Sequence, residues 1–353
     1  MKIVLVIFGG KSTEYEVSLA SAISVINNIP KDIYQVLTLG ITKDGSWFLF
    51  EGKTEEIESD TWHTSISATP AVISPDAKEK ALLVFRESGV ERVAVDVVFP
   101  VLHGKNGEDG VIQGLFELAC LPYVGCDLIS SAVCMDKVFT NTLADALRVR
   151  QAKWLAIKKF DYAQSAGEFE TQVTSYLGFP CFVKPANAGS SVGISKVKTP
   201  DALAQAMADA FVHDHKVLVE EGINGYEVEC AVLGNDDPLP SVVGQVIPSN
   251  EFYDYSAKYI DNASELIIPA RISPESMEAV RACSVKIFKA LGCSGLSRVD
   301  FFVEKTTGEV YFNEINTLPG FTSISMYPKL FAELGISYPE LLDRLIRLAL
   351  EKQ

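Results

Sequence analysis

The tightest constraint in this sequence is a glycine-set turn towards its C-terminal end. Two β-prone runs, 299–304 and 309–313, flank Lys305-Thr306-Thr307-Gly308, and the segment reads as a β-hairpin. A loop of Thr306, Thr307 and Gly308 suits a type I turn closed by a left-handed residue, a conformation glycine adopts without steric cost. That register sets Lys305 opposite Glu309, so Asp300 faces Glu314 and Arg298 faces Asn316. The strand period of two puts these four side chains on one face, which Phe302 and Phe312 continue. Two carboxylates and an amide oxygen are hard donors and make a candidate Mg²⁺ site, of a kind completed by water and substrate phosphates; the alternative is a solvated strand face. Arg298 sits among these acids, and the hairpin runs into Thr317-Leu318-Pro319-Gly320, a loop whose backbone can approach a ligand closely.

Composition narrows the class. The chain has 353 residues and is 48% hydrophobic, which supports two or three domains with real cores. Its net charge of −15 and pI near 4.8 disfavour nucleic acid and anionic membranes as partners, since both are held through clustered Lys and Arg. Seven cysteines, at 120, 126, 134, 181, 230, 283 and 293, are scattered and never spaced C-x-x-C. Neither a disulfide framework nor a zinc site is indicated, and a reducing cytoplasm fits best. The apolar run 3–8 is too short for a signal peptide, and no stretch supplies the roughly 18 consecutive apolar residues of a membrane span.

Taken in order, the run 3–8 ends at Gly9-Gly10, after which Ser12 or Thr13 caps a helix bearing Val17, Leu19, Ala20 and Ile23. Such a junction aims backbone N–H groups at whatever sits above the sheet. It is not G-x-G-x-x-G and no acid follows at the ribose position, so a nicotinamide-dependent oxidoreductase is disfavoured. Glu14 and Glu16 fall in the first helical turn, where acids favour the macrodipole, and for Glu14 that is the preferred reading. Residues 36–41 and 93–101 read as strands, and 51–91 as a polar, irregular, peripheral segment. His103 lies just past a strand end in a glycine-punctuated loop, either at a ligand crevice or as a satisfied structural residue. A helix at 111–119 and a short strand at 122–126 complete a β, α, β pattern with a mostly parallel sheet.

An apparent helix covers 136–147, and the 150s and 160s turn polar and less regular, as at a domain boundary. Residues 181–197 read as two strands joined by a small-residue loop. Gly189, Ser190, Ser191 and Gly193 expose N–H groups and hydroxyls suited to phosphate oxygens, and Lys184 adds charge; a flexible surface hairpin is the alternative. The loop lacks the Gly-Lys-Ser/Thr ending of a Walker A motif. Strands at 217–221 and 226–233 carry Glu220, Glu221, Glu227 and Glu229, which could accept from an amino group or ribose hydroxyls or be exposed edge acids. The loop 252–259, F-Y-D-Y-S-A-K-Y, reads as a lid that excludes water. Helices at 276–291 and 338–350 follow.

These pieces resemble the D-alanine:D-alanine ligases of the ATP-grasp superfamily. The resemblance runs through F-G-G-K-S-T-E-Y-E-V-S-L from Phe8, H-G-K-N-G-E-D-G from His103, M-D-K from Met135 and V-K-P-A-N-A-G-S-S-V-G from Val183. It continues through V-E-E-G-I-N-G-Y-E from Val219, the loop from Phe252, R-V-D from Arg298 and N-E-I-N-T-L-P-G-F-T-S-I-S-M from Asn313. It implies an α/β chain of three domains: a Rossmann-like parallel-sheet domain at 1–135 and two ATP-grasp subdomains at 136–216 and 217–353. ATP would lie between the last two, and the amino acids between the first and third. The implied reaction phosphorylates the carboxylate of one D-alanine with ATP and lets the amine of a second attack the acyl phosphate, for peptidoglycan precursor synthesis.

Carried over motif by motif, the resemblance assigns Asp300, Glu314 and Asn316 to two Mg²⁺ ions, with Mn²⁺ as a substitute. Lys137 and Lys184 would hold phosphates under the Ser190-Ser191 loop, and Lys258 would reach the γ-phosphate. Glu220 and Ile223 would meet adenine, and Glu227 the ribose. Glu16 would hold the first ammonium, joined by Ser190 and Tyr259 in a hydrogen-bonded triad. Arg298 and the Gly320 N–H would stabilise the tetrahedral oxyanion. Ser325, beside Met326, would bind the second carboxylate, and His103 would lie near the first amino acid. Gly222 departs from the bulky apolar residue that relatives commonly place against adenine.

Some stretches also resemble the D-alanine:D-serine ligases of vancomycin resistance, which tend to carry a basic residue at the position of Met326. Met326 and Ile324 favour a methyl acceptor, a preference of about 1 to 3 kcal/mol. A homodimer is implied by the same resemblance. The rival from another class is a non-catalytic nucleotide-binding protein of this fold, which has no need of Arg298 together with three metal ligands.

Overall fold

The computed structural model describes residues 1–247 and 265–352. The expected lid, with Lys258 and Tyr259, lies outside them.

The first of three sheets holds β1 (Lys2–Gly9), β2 (Tyr34–Ile41), β3 (Trp47–Phe50), β4 (Ala68–Ile73), β5 (Ala81–Arg86), β6 (Gly89–Ala94) and β7 (Val97–Val101), ordered β6-β5-β4-β3-β2-β1-β7. β1 pairs in parallel with β2 and β7, and its unbroken apolar run is what a strand covered on both faces needs. Two expectations fail here. Residues 51–91 are not irregular: they supply β4, β5 and the first half of β6, which extend the sheet antiparallel. Residues 93–101 are not one strand, because β6 and β7 lie at opposite edges of the sheet. Trp62 anchors the misread segment, its buried ring 4.9 Å from that of Phe8. Gly40 makes room, since a Cβ there would lie 2.2 Å from the indole.

The second sheet holds β8 (Trp154–Lys158), β9 (Cys181–Pro185), β10 (Ser195–Val197) and β11 (Lys216–Glu221), ordered β10-β9-β11-β8. The helices Lys159–Tyr176 and Leu203–His213 pack Val173, Met207 and Phe211 against it. The polar 150s and 160s are thus a strand and a helix. Because β11 pairs with β9 and β8, the change of sheet comes after Glu221, not at 216/217 as expected.

The third, antiparallel sheet holds β12 (Gly225–Gly234), β13 (Leu239–Ile247), β14 (Glu265–Ile267), β15 (Gly295–Glu304) and β16 (Val310–Asn316), ordered β14-β13-β12-β15-β16. Val228, Cys230 and Val232 face the helix Pro274–Ala290. The alternate residues Ala231 and Leu233 face the other way, into a core that Tyr327, Leu342 and Ile346 share with Val4, Phe8 and Leu19 of the first sheet. No helix among the described residues is long and apolar enough to cross a membrane.

The hairpin of β15 and β16 reaches the expected pairing by a different route. The Glu304 N–H donates to Glu309 O at 2.9 Å, so the loop is 305–308, one residue longer than expected, with Gly308 at φ +73°. Phe301 then pairs with Phe312 and Phe302 with Tyr311, and a bulge at Asn313 restores Asp300 opposite Glu314 and Arg298 opposite Asn316. The two offsets cancel. Phe312 accordingly lies in the core with Phe301, ring centroids 6.0 Å apart, and not on the face of Phe302.

Candidate active site

A cavity of about 450 Å³ opens where the ends of the three sheets converge. Glu14, His103 and Glu108 enter it from the first sheet's connections, Lys137, Ser190 and Ser191 from the middle of the chain, and Arg298, Glu314, Asn316, Gly320, Ser325 and Met326 from the third sheet and the loop after it.

The acid inside is Glu14, not Glu16. Glu14 is buried and its carboxylate accepts from the Ser190 hydroxyl. A Cβ at Gly104 would come within 2.3 Å of Glu14 Oε2, and one at Gly189 within 2.7 Å. Glu16 points to solvent and pairs with Lys43 at 2.6 Å, and the ammonium holds its carboxyl below the ordinary range. Glu14 sits on the helix face of Ser18, Ala22, Val25 and Ile29, all buried, whereas Glu16, at about 100° per residue, falls nearly opposite. Ser190 and Ser191 take positive φ, +48° and +60°, so the loop is held in a backbone conformation that costs energy for non-glycine residues.

His103 is a clamp. Its buried ring sets Nδ1 3.1 Å from Leu318 O and Nε2 3.2 Å from Ser21 Oγ. Burial pushes its pKa down to about 4, so the ring is neutral. A carbonyl can only accept, so Nδ1 carries the proton and Ser21 donates to Nε2 while accepting the Phe321 N–H at 3.3 Å. The ring thus joins the first helix to the loop 317–320. Glu108, which sequence reasoning missed, accepts the Gly104 N–H at 2.8 Å. Burial, then Glu14, push its pKa up to about 8.

On the third sheet Arg298 grips Asp300 with both arms, at 2.7 and 2.6 Å, and stands 3.1 Å from Glu229. Burial opposes its charge, but Asp300 and Glu229 more than offset this and keep the guanidinium's pKa above its ordinary value. Lys137 Nζ lies 3.4 Å from Glu314 and donates to Ala188 O at 3.0 Å. Asn316 Oδ1 accepts the Leu318 N–H at 3.2 Å. Ser325 Oγ accepts the Thr322 N–H at 3.0 Å and lies 2.8 Å from where a Gly320 Cβ would stand. Met326 is buried at one wall.

A second group lies beside the cavity. Lys184 Nζ stands 2.6 Å from Glu220 and 3.3 Å from Asn313 Oδ1 on the bulge, and Asn141 donates to the other Glu220 oxygen at 3.0 Å. Glu227, on β12, is within electrostatic reach of Lys184, and Ile223 lies in the link between β11 and β12. At Gly222 a Cβ would come within 2.8 Å of Pro180 O, which leaves no room for a side chain there. Cations that can hold phosphates, donors that can meet an oxyanion and acids that can take an ammonium therefore share one enclosure.

Two family models match the chain: "D-ala D-ala ligase N-terminus" over residues 3–126 and "D-ala D-ala ligase C-terminus" over residues 143–347. A protein of Caldicellulosiruptor bescii named D-alanine–D-alanine ligase is 51% identical over 99% of this chain and 95% of its own length. One of the same name from Acetivibrio thermocellus is 50% identical over 99% and 96%. Among solved structures, the VanG D-Ala:D-Ser ligase from Enterococcus faecalis superposes with a TM-score of 0.90 at 44% identity, covering 99% of both chains. The D-alanine–D-alanine ligase from Coxiella burnetii does so at 0.86 and 35%, covering 100% of this chain and 96% of that one. Matched by both family models and by full-length relatives at about half identity, the chain belongs to the D-alanine–D-alanine ligase family.

Proposed function

We propose that the protein joins two D-alanines through an acyl phosphate made at the expense of ATP, as a step of peptidoglycan precursor synthesis. The observation that carries this is the single cavity in which Lys137 and the Ser190-Ser191 loop meet Arg298, Gly320 and Ser325. Phosphate-holding and acyl-holding groups must be adjacent if one carboxylate is to be phosphorylated and then attacked without leaving the site.

In this reading Glu14, in place of Glu16, takes the first ammonium, because of the two it is Glu14 that lines the cavity. Its contact with Ser190 holds the phosphate-covering loop against the first helix, and Tyr259 and Lys258 keep the roles the resemblance gives them. A carboxylate oxygen of the first D-alanine attacks the γ-phosphorus and ADP departs. The amine of the second then attacks the acyl carbon, loses a proton and expels phosphate. Arg298, a fixed cation, and the Gly320 N–H stabilise the oxyanion between these events. Ser325 takes the second carboxylate, His103 holds the loop bearing Gly320, Lys184 holds phosphate, and Glu220, Ile223 and Glu227 line the nucleoside.

The donor set fits a hard dication. Asp300, Glu314 and Asn316 supply oxygens from neighbouring strands, and Arg298 and Lys137 meet the two carboxylates. Among the described residues no group of three or more His, Cys, Asp and Glu is placed to hold a metal, and in this reading the amide oxygen of Asn316 serves as the third ligand. Bound there, Mg²⁺ would neutralise charge on the transferred phosphate. A homodimer in the cytoplasm completes the reading.

The close match to a D-Ala:D-Ser ligase supports D-serine as the second acceptor to test. Met326 and Ile324 line the cavity and favour the methyl side chain. Phosphate release should be measured with ATP and D-alanine alone, then with D-serine or D-lactate added at equal concentration. D-alanyl-D-alanine is the expected main product; a dominant mixed product overturns the acceptor, and no turnover with any acceptor overturns the reaction.

A further inference from the structure

Cys134, at the end of the helix Leu128–Met135, and Cys293, just after the helix Pro274–Ala290, hold their sulfurs 3.8 Å apart. Both side chains are buried, and Cys134 also forms part of the cavity wall. A third thiol, Cys126, adjoins Cys293, but its Sγ is directed at the carbonyls of Leu296 and Ser294, 3.5 and 3.6 Å away. The ammonium of Lys352, donating to Gly125 O at 2.5 Å, is close enough to Cys293 for their charges to interact. Cys126 lowers the Cys293 pKa, but the hydrogen bond with Cys134 and burial more than offset this and hold the thiol well above its ordinary value. All three thiols are free, and no step of the proposed reaction uses them.

We propose that Cys134 and Cys293 are a reversible modification site, a dithiol that a hydroperoxide entering the cavity closes to a disulfide, lowering turnover. The chemistry balances. Cys134 sulfur attacks one peroxide oxygen, the O–O bond breaks, and the other oxygen leaves as water while the sulfur becomes a sulfenic acid. Cys293 sulfur then attacks it, the S–O bond breaks and a second water leaves. Two thiols lose two electrons, and one hydrogen peroxide gains them. A dithiol reductant reverses the bond by exchange.

The consequence follows from what each cysteine leads into. Cys134 runs through Met135 and Asp136 into Lys137, and Cys293 runs into β15 with Arg298 and Asp300. The sulfurs must close from 3.8 Å to about 2.05 Å, which draws these two walls of the cavity together. Misplacing reacting groups by about 1 Å can cost about a hundredfold, so a loss of at least about tenfold is expected.

The test uses the full-length protein, reduced, freed of reductant and exposed to hydrogen peroxide. Intact mass should fall by two hydrogens, peptide mapping should join the Cys134 and Cys293 peptides, and phosphate release should drop at least about tenfold, all restored by dithiothreitol. Cys293→Ala should keep its reduced-state turnover and lose the peroxide response, and Cys126→Ser should respond like the parent protein. The turnover arm rests on the proposed ligase reaction and the mass arm does not, so the two fail separately. A Cys126–Cys293 link, oxidation without a Cys134–Cys293 peptide, or that cross-link with turnover unchanged would overturn the proposal.

Discussion

Glu14 and Ser190 stand 176 positions apart and meet side chain to side chain at the cavity. The contact joins the start of the first helix to the loop between β9 and β10, so a residue of the first sheet's layer restrains one of the second.

Glu14→Gln should lower kcat/KM for D-alanine by about a hundredfold or more, since it removes a buried charge partner for an ammonium. Glu16→Gln should stay within about threefold of the parent, because an exposed pair such as Glu16 with Lys43 contributes little. Phosphate release with both variants decides between the two acids, and equal losses would remove the assignment of Glu14.

Arg298 separates catalysis from stability. Arg298→Ala leaves Asp300 and Glu229, both buried, without their shared cation and should destabilise the fold by about 3–5 kcal/mol. Arg298→Lys keeps a charge but loses the two-armed grip, and should retain most stability while kcat falls about a hundredfold. Urea unfolding beside steady-state kinetics tests both; full activity in the lysine variant would argue against an oxyanion role.

His103 and Glu108 set opposite pH limits. The His103 pKa falls from 6.5 in the unfolded chain to about 4, so its contribution is complete above 6.5 and is lost as pH drops towards 4, about 3 kcal/mol in all. Glu108 rises from 4.5 to about 8, so its contribution is complete below 4.5 and is lost as pH climbs towards 8. His103→Gln should flatten the acid limb of stability against pH, and Glu108→Gln the alkaline limb, with urea midpoints as the readout.

A Cβ at Gly244 would stand 2.7 Å from Met326 Sδ and 2.9 Å from Leu330 Cδ2. Gly244→Ala should therefore push the flexible Met326 side chain into the cavity, raising KM for the second D-alanine about tenfold while KM for ATP stays level. A rise in the ATP constant alone would place Met326 away from the acceptor.

Chelation should abolish turnover and Mg²⁺ restore it. Glu314→Gln should remove the restored activity with little change in the urea midpoint, because its side chain is partly exposed, at 31%. Full activity in that variant would remove Glu314 from the metal site.

Much of this was legible where local rules act alone. Apolar runs gave β1 and β11 and small residues gave the loop at 189–193, whereas Asp300 came to face Glu314 and Arg298 to face Asn316 only because the longer loop and the bulge cancel. Asn313 was not legible: a bulge depends on what the strand packs against, and here it carries Asn313 to Lys184. Glu14 could have been read from its helix face but was masked by an equally good reason for acids in a first turn. The segment 51–91 looked polar because its strands lie towards a sheet edge, and the burial of Trp62, Ile73, Leu82 and Val84 shows how firmly it packs. Glu108 had no signal, since its burial and the nearby Glu14 carboxylate come from a distant part of the chain.

The core that Val4 and Phe8 share with Leu342 and Ile346 has a temporal meaning. During synthesis the first strand emerges hundreds of residues before the helix that covers it, and about 5–20 residues are added each second. The β1–β7 layer must wait with an apolar flank uncovered, a natural client for a holding chaperone. The four-stranded unit draws its core from residues between Ile157 and Val219 and can close in the meantime. The middle of the chain is therefore finished first, and the two ends are sealed together last.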